Sequence, residues 1–131
     1  MSWVEVFAVF VVSHVIGDYL LQTDWQARNK RGGLGRDPTA RRALVAHVST
    51  YTLAFVPALI WIADEIGVAA AVGIAALIFV PHLIQDDGRL LDAYIERVKG
   101  EGASANVLVF SAVDQSFHLA TLFGIALLTA A

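Results

Sequence analysis

Three of the four histidines in this chain stand one helical turn from an aspartate: His14 with Asp18, His82 with Asp86, and His118 with Asp114. Residues four apart on a helix project from the same face, so each pair presents an imidazole beside a carboxylate. Both groups ligate divalent transition metals, and the fourth histidine, His47, adds another nitrogen. All seven side chains lie in otherwise apolar stretches. An unpaired charged side chain at mid-membrane costs about 2.5 to 3.5 kcal/mol, so a shared interior metal site is the simplest way to offset it. A set rich in His and free of Glu favours Zn over Mn or Fe. Seven candidates exceed the needs of one tetrahedral ion, which leaves room for two. A lone intramembrane histidine is better explained by a hydrogen bond between helices; the repeated pairing is what favours the metal.

The composition sets the surroundings of these residues. Of 131 residues, 57% are hydrophobic and 16% charged, and the mean hydropathy is +0.65. That is too apolar for an ordinary soluble domain of this length and predicts one transmembrane helical domain over residues 1–131. A net charge of −3 gives no electrostatic reason to expect nucleic acid. The absence of Cys excludes disulfides, thiolate ligands and a Cys nucleophile, so any metal must take N and O ligands. The N-terminal MSWVEVFAVFVV has no basic start and no small-residue cleavage pattern, and is expected to be retained rather than removed as a signal peptide.

Four apolar stretches are expected to be membrane helices: about Trp3 to Trp25, Thr39 to Ala63, Gly67 to Asp86, and Ala105 to Ala130. Asp37-Pro38 is a fair cap for the second, and Pro57 is expected to kink it. The fold class read from this pattern is an all-α integral membrane four-helix bundle. After the third helix, Leu90, Leu91, Tyr94, Ile95 and Val98 recur at helical spacing among charges, as in an amphipathic segment on the membrane surface or an extension of the third helix beyond it. Trp3, Trp25 and Trp61 near segment ends suit an interfacial belt.

All nine Lys and Arg residues fall in the first or third connection or at the adjoining helix ends. The positive-inside rule then predicts a multi-pass cell-membrane protein with loops one and three cytoplasmic and both termini outside. At a rise of about 1.5 Å per residue, this brings the His and Asp residues of all four helices to overlapping depths. Gln115, about 100° round the helix from Asp114, is expected to face elsewhere, and Asp87 to be solvated. Gly17, Gly73 and the run Ala69 to Ala76 offer a close-packing face for a homo-oligomer.

The chain resembles the domain-of-unknown-function family DUF3307 in HVIGDYLLQTDWQA (His14 to Ala27), in His47 followed one turn on by Tyr51, in HLIQD (His82 to Asp86) and in DQSFH (Asp114 to His118). The resemblance spans nearly the whole chain and implies a small bacterial membrane protein without an assigned activity. The repeated His-x-x-x-acid pairs are also distantly similar to zinc-dependent phospholipase C, P1 nuclease and membrane-bound metal-dependent hydrolases, which implies phosphoester hydrolysis. No GxSxG elbow, Walker A or dinucleotide loop is present. A bis-histidine haem would leave the paired aspartates unexplained.

These readings converge on a metal-dependent hydrolase acting on a lipid-linked phosphoester. The metal ligands would be His14, Asp18, His47, His82, Asp86, Asp114 and His118, with Asp114 or Asp18 taking a proton. Arg41, Arg42 and Arg89 would hold an anionic head group, although anchoring to membrane lipid explains them equally well. The alternative is a metal or proton carrier, or a metal-stabilised subunit of a membrane complex.

Overall fold

The computed structural model describes residues 1–131. The fold is all-α without strands: α1 (Trp3–Val15), α2 (Asp24–Asn29), α3 (Pro38–Ala54), α4 (Val56–Ile66), α5 (Val68–Asp87), α6 (Arg89–Lys99) and α7 (Val107–Thr129). A π turn (Ile16–Leu20) extends α1, and a 3-10 turn (Ala103–Ala105) precedes α7. Three helical stretches are long and apolar enough to cross a membrane, Trp3–Leu20, α5 and α7; a fourth is added if α3 and α4 form one bent span.

Local sequence accounts for most of the boundaries. Ser2 and Glu5 close a capping box on α1, and Thr23 and Gln26 close another on α2. Asp37 accepts from the Thr39 amide at 2.8 Å while Pro38 occupies the first turn of α3. Pro57 has no N–H for the carbonyl of Leu53, and the helix breaks at Phe55 with a bend of 53°. The expected kink is therefore a break between two helices. Gly88 takes φ +80°, which ends α5 and turns the chain into α6, the amphipathic segment expected there.

The first segment departs from the expected continuous helix. After Val15 it widens into a π turn, with Leu21 N–H bonded to the Ile16 carbonyl at 2.9 Å, and leaves the helix before Thr23. Gly17 lies in this turn against Tyr51 of α3, where a Cβ would stand 2.7 Å from Tyr51 Cδ2. This glycine serves packing within the chain, which removes it from the face offered to a second copy.

The interior has two levels. Val6 and Phe10 of α1, Phe55 and Ile62, Ile74 and Ile78 of α5, and Leu122 and Ile125 of α7 form an apolar core toward the chain termini. Beneath it, His14, Asp18, His47, His82, Asp86 and His118 are all buried. The outward surface is largely apolar, with Val12, Leu53, Ile60, Val72 and Leu128 exposed, as suits helices surrounded by lipid.

Candidate metal centre

Four elements deliver the polar residues to one level. His47 comes from the middle of α3, His82 and Asp86 from the last turns of α5, Asp114 and His118 from α7, and Asp18 from the π turn. The close approach of Gly17 to Tyr51 sets Asp18 Oδ1 3.2 Å from His47 Nε2.

One group joins Asp18, His47, His82 and Asp86. His47 Nε2 lies 3.2 Å from His82 Nε2 and 2.8 Å from Asp86 Oδ2. His82 Nε2 lies 3.6 Å from Asp18 Oδ1 and 3.2 Å from Asp86 Oδ2. A tetrahedral ion with bonds of about 2.0 to 2.1 Å has ligand-to-ligand edges of about 3.3 to 3.4 Å, and these separations bracket that length. A second group joins Asp86, Asp114 and His118: His118 Nε2 is 3.2 Å from Asp86 Oδ1 and 3.4 Å from Asp114 Oδ1. Asp86 thus turns one oxygen toward each group. Asp18 Oδ1, Asp86 Oδ1 and His118 Nε2 are buried without an aligned hydrogen-bond partner, although ring nitrogens and carboxylate oxygens lie close by. Close approach without alignment is what atoms directed at a common ion show, and leaving them unpaired would be costly.

His14 stands outside both groups. Its Nε2 lies 2.8 Å from Gln115 Oε1 and its Nδ1 3.1 Å from the Tyr51 hydroxyl. An amide oxygen only accepts, so Nε2 carries the proton and Nδ1 accepts from Tyr51. Asp18 Oδ2, 3.9 Å from Nδ1, is held instead by Gln115 Nε2 at 3.1 Å. Both ring nitrogens of His14 are thereby engaged, one by Gln115 and one by Tyr51, beside the candidate groups. Gln115 also faces inward, 3.4 Å from Asp114 Oδ2.

The cations nearest the groups come from an unexpected place. A pocket of about 310 Å³ is bordered by Lys30, Arg31, Gln85, Asp86, Phe110 and Asp114. Lys30 Nζ donates to Asp86 Oδ2 at 2.7 Å, and the Arg31 guanidinium pairs with Asp92 at 2.6 Å and lies 4.2 Å over the Phe110 ring. Asp87 places this loop. It is buried rather than solvated: its carbonyl accepts from Gly32 N–H at 2.8 Å and its Oδ1 from Leu34 N–H at 2.7 Å. The arginines expected at a head group lie elsewhere. Arg89 is paired with Asp87 at 2.6 Å, which raises its pKa, Arg41 donates to the Gly35 carbonyl, and neither they nor Arg42 border the pocket. Asp114 borders it and Asp18 does not. Nothing in the composition of NKRGG distinguishes Lys30 and Arg31 from the other basic residues; only the ties to Asp87 do.

The chain belongs to the family described as Protein of unknown function (DUF3307), whose profile matches residues 6–131. No curated protein and no solved structure matches it.

Proposed function

We propose that this DUF3307 member is a four-span membrane bundle, with the bent α3–α4 pair as its second span, built around a two-ion centre that hydrolyses a lipid-linked phosphoester. The observation that carries the reading is the inequality of the two ligand groups. Asp18, His47, His82 and Asp86 are four donors, enough to close a tetrahedral site, whereas Asp86, Asp114 and His118 are three. Structural zinc sites are closed by four protein ligands, and catalytic ones keep three and an open position. Two of the three donors in the smaller group, Asp86 and Asp114, border the pocket that Lys30 and Arg31 enter. An ion held by that smaller group would have its open position in the cavity that Lys30 and Arg31 border.

Zn suits this donor set best, and a bound divalent ion supplies two things: a water acidic near neutral pH and polarisation of the phosphoryl oxygens. The residues supply the rest. Lys30 and Arg31 hold the phosphoryl oxygens. Asp114 keeps Oδ1 toward His118 and leaves Oδ2, beside Gln115, to take the proton that water loses. The water oxygen bonds to phosphorus, and the ester P–O bond breaks with its electron pair on the lipid oxygen, which is protonated from solvent. Asp18, engaged with His47 and Gln115, would help hold an ion in the closed group. The concentration of basic residues in the first and third connections supports a cytoplasmic position for this pocket, with both termini outside.

A metal-stabilised structural subunit or a carrier is the second reading, favoured by the burial of all four residues of the closed group. A screen of phospholipids and lipid-linked phosphates with metal-replete protein separates the two. Release of product should collapse on chelation, return with metal, and fall in Asp114→Asn, whose amide hydrogen-bonds but cannot act as a base. Metal-loaded protein with no turnover above the Asp114→Asn background would leave the structural reading.

A further inference from the structure

Two openings meet at one side chain. Beyond Gln85 from the polar pocket lies a groove of about 210 Å³ between α5, α6 and α7, walled by Ile84, Leu90, Leu91, Tyr94 and Phe117. Tyr94 and Phe117 meet edge to face at 5.0 Å. Gln85 borders both openings. Its Nε2 donates to Thr121 Oγ1 at 2.8 Å, and its Oε1 is buried without a partner.

We infer that pocket and groove are two halves of one binding site for a phosphate-bearing amphiphile with a single hydrocarbon chain, the phosphate against Lys30 and Arg31 and the chain along α6. This rests on the phosphoester reading and names its substrate class. A chain already in lipid gains little hydrophobic free energy by moving into an apolar groove, so the groove does not act by adding affinity. It acts as an exit: a lipid phosphate drawn to Lys30 and Arg31 must leave its chain somewhere. Of the pocket's own apolar borders, Ala27, Ala105, Val107 and Phe110, the largest is covered by the Arg31 guanidinium, while the groove across Gln85 offers five apolar side chains. The groove is small beside ordinary ligand pockets, which fits one chain better than two. Free phosphate would leave it unused, and an uncharged alkyl chain would have no reason to stop beside Lys30.

The test uses the full-length protein in detergent with added Zn and hexadecyl phosphate bearing a diazirine at mid-chain. After photolysis, peptide mapping should concentrate adducts on Leu90, Tyr94 and Phe117. Unlabelled hexadecyl phosphate should displace the probe at least tenfold better than hexadecanol or inorganic phosphate, and Lys30→Gln should weaken groove labelling. Adducts spread evenly over lipid-facing Val12, Leu53 and Val72 would overturn the proposal, as would equal competition by hexadecanol. Inorganic phosphate competing better than hexadecyl phosphate would make free phosphate the ligand and overturn it too. Labelling needs no turnover. Groove adducts in a protein that hydrolyses nothing would refute only the enzyme reading, whereas scattered adducts in one that cleaves a soluble phosphoester would refute only the groove.

Discussion

His118→Ala should remove one ion and leave the other. His118 supplies the only nitrogen of the three-donor group, and without it Asp86 and Asp114 remain as two carboxylates; the four-donor group loses nothing. At free Zn about a hundredfold above the dissociation constant, each occupied site stabilises the folded state by about 2.7 kcal/mol. Wild type with two independent sites should then lose about 5.4 kcal/mol on chelation, and the variant about half of that. Removing a fully buried imidazole also leaves a cavity, so metal-free melting of each protein supplies the baseline that separates cavity from ion. Elemental analysis after gentle purification should read two ions per chain falling to one. Wild type without metal, or a variant that keeps both ions or loses both, would refute the assignment of donors to groups.

Tyr51→Phe strands the accepting nitrogen of His14 and should cost about 1 to 3 kcal/mol in thermal melting while leaving metal content unchanged. Gly17→Ala places a methyl 2.7 Å from the Tyr51 ring and should destabilise by about 1 to 3 kcal/mol; an unchanged melting temperature would contradict the close packing of the π turn. Glu96 accepts from the amides of Gly102 and Ser104 at 2.6 and 2.9 Å, and hydrogen bonding from the Ser104 side chain and these amides lowers its carboxyl below 4.5. The loop clamp is therefore complete above that value and is lost as pH falls through the lowered one. Protection of those two amides from hydrogen exchange, corrected for intrinsic rates, should vanish only in that acid window; loss at neutral pH would refute it. Reporter fusions at Ala131 and in the Arg31 to Arg36 loop should report opposite sides of the membrane, with Ala131 outside.

What the sequence made legible follows from periodicity. The i,i+4 pairs on α5 and α7 needed only helical spacing to be placed on one face, and the cap at Asp37 is local chemistry. His14 and Asp18 share the same spacing, yet the π turn between α1 and α2 rotates Asp18 toward α3 while His14 bonds Gln115 and Tyr51. Spacing alone does not register a change of helical pitch. The break at Phe55 shows the same limit from the other side: Pro57 marked the place, but whether a proline kinks or ends a helix depends on what the two arms pack against.

Lys30 and Arg31 were illegible for a further reason. Basic residues near a membrane are first read as topology signals, and all nine satisfy that reading equally. What singles out two of them is a tertiary event, the capture of Gly32 and Leu34 by Asp87, a residue beside the candidate ligand Asp86 that looked solvated. With the loop tied there, Lys30 reaches Asp86 directly and Arg31 is fixed against Asp92 and Phe110. Adjacent aspartates thus divide the work: Asp86 faces the two candidate groups, and Asp87 holds the loop that brings Lys30 to Asp86 Oδ2 and Arg31 to the border of the pocket. The consequence is that Asp87→Ala should spare the ions, because it takes no donor from either group, yet weaken binding of an anion such as hexadecyl phosphate. Loss of metal in that variant would show instead that the loop and the ligand groups are one cooperative unit.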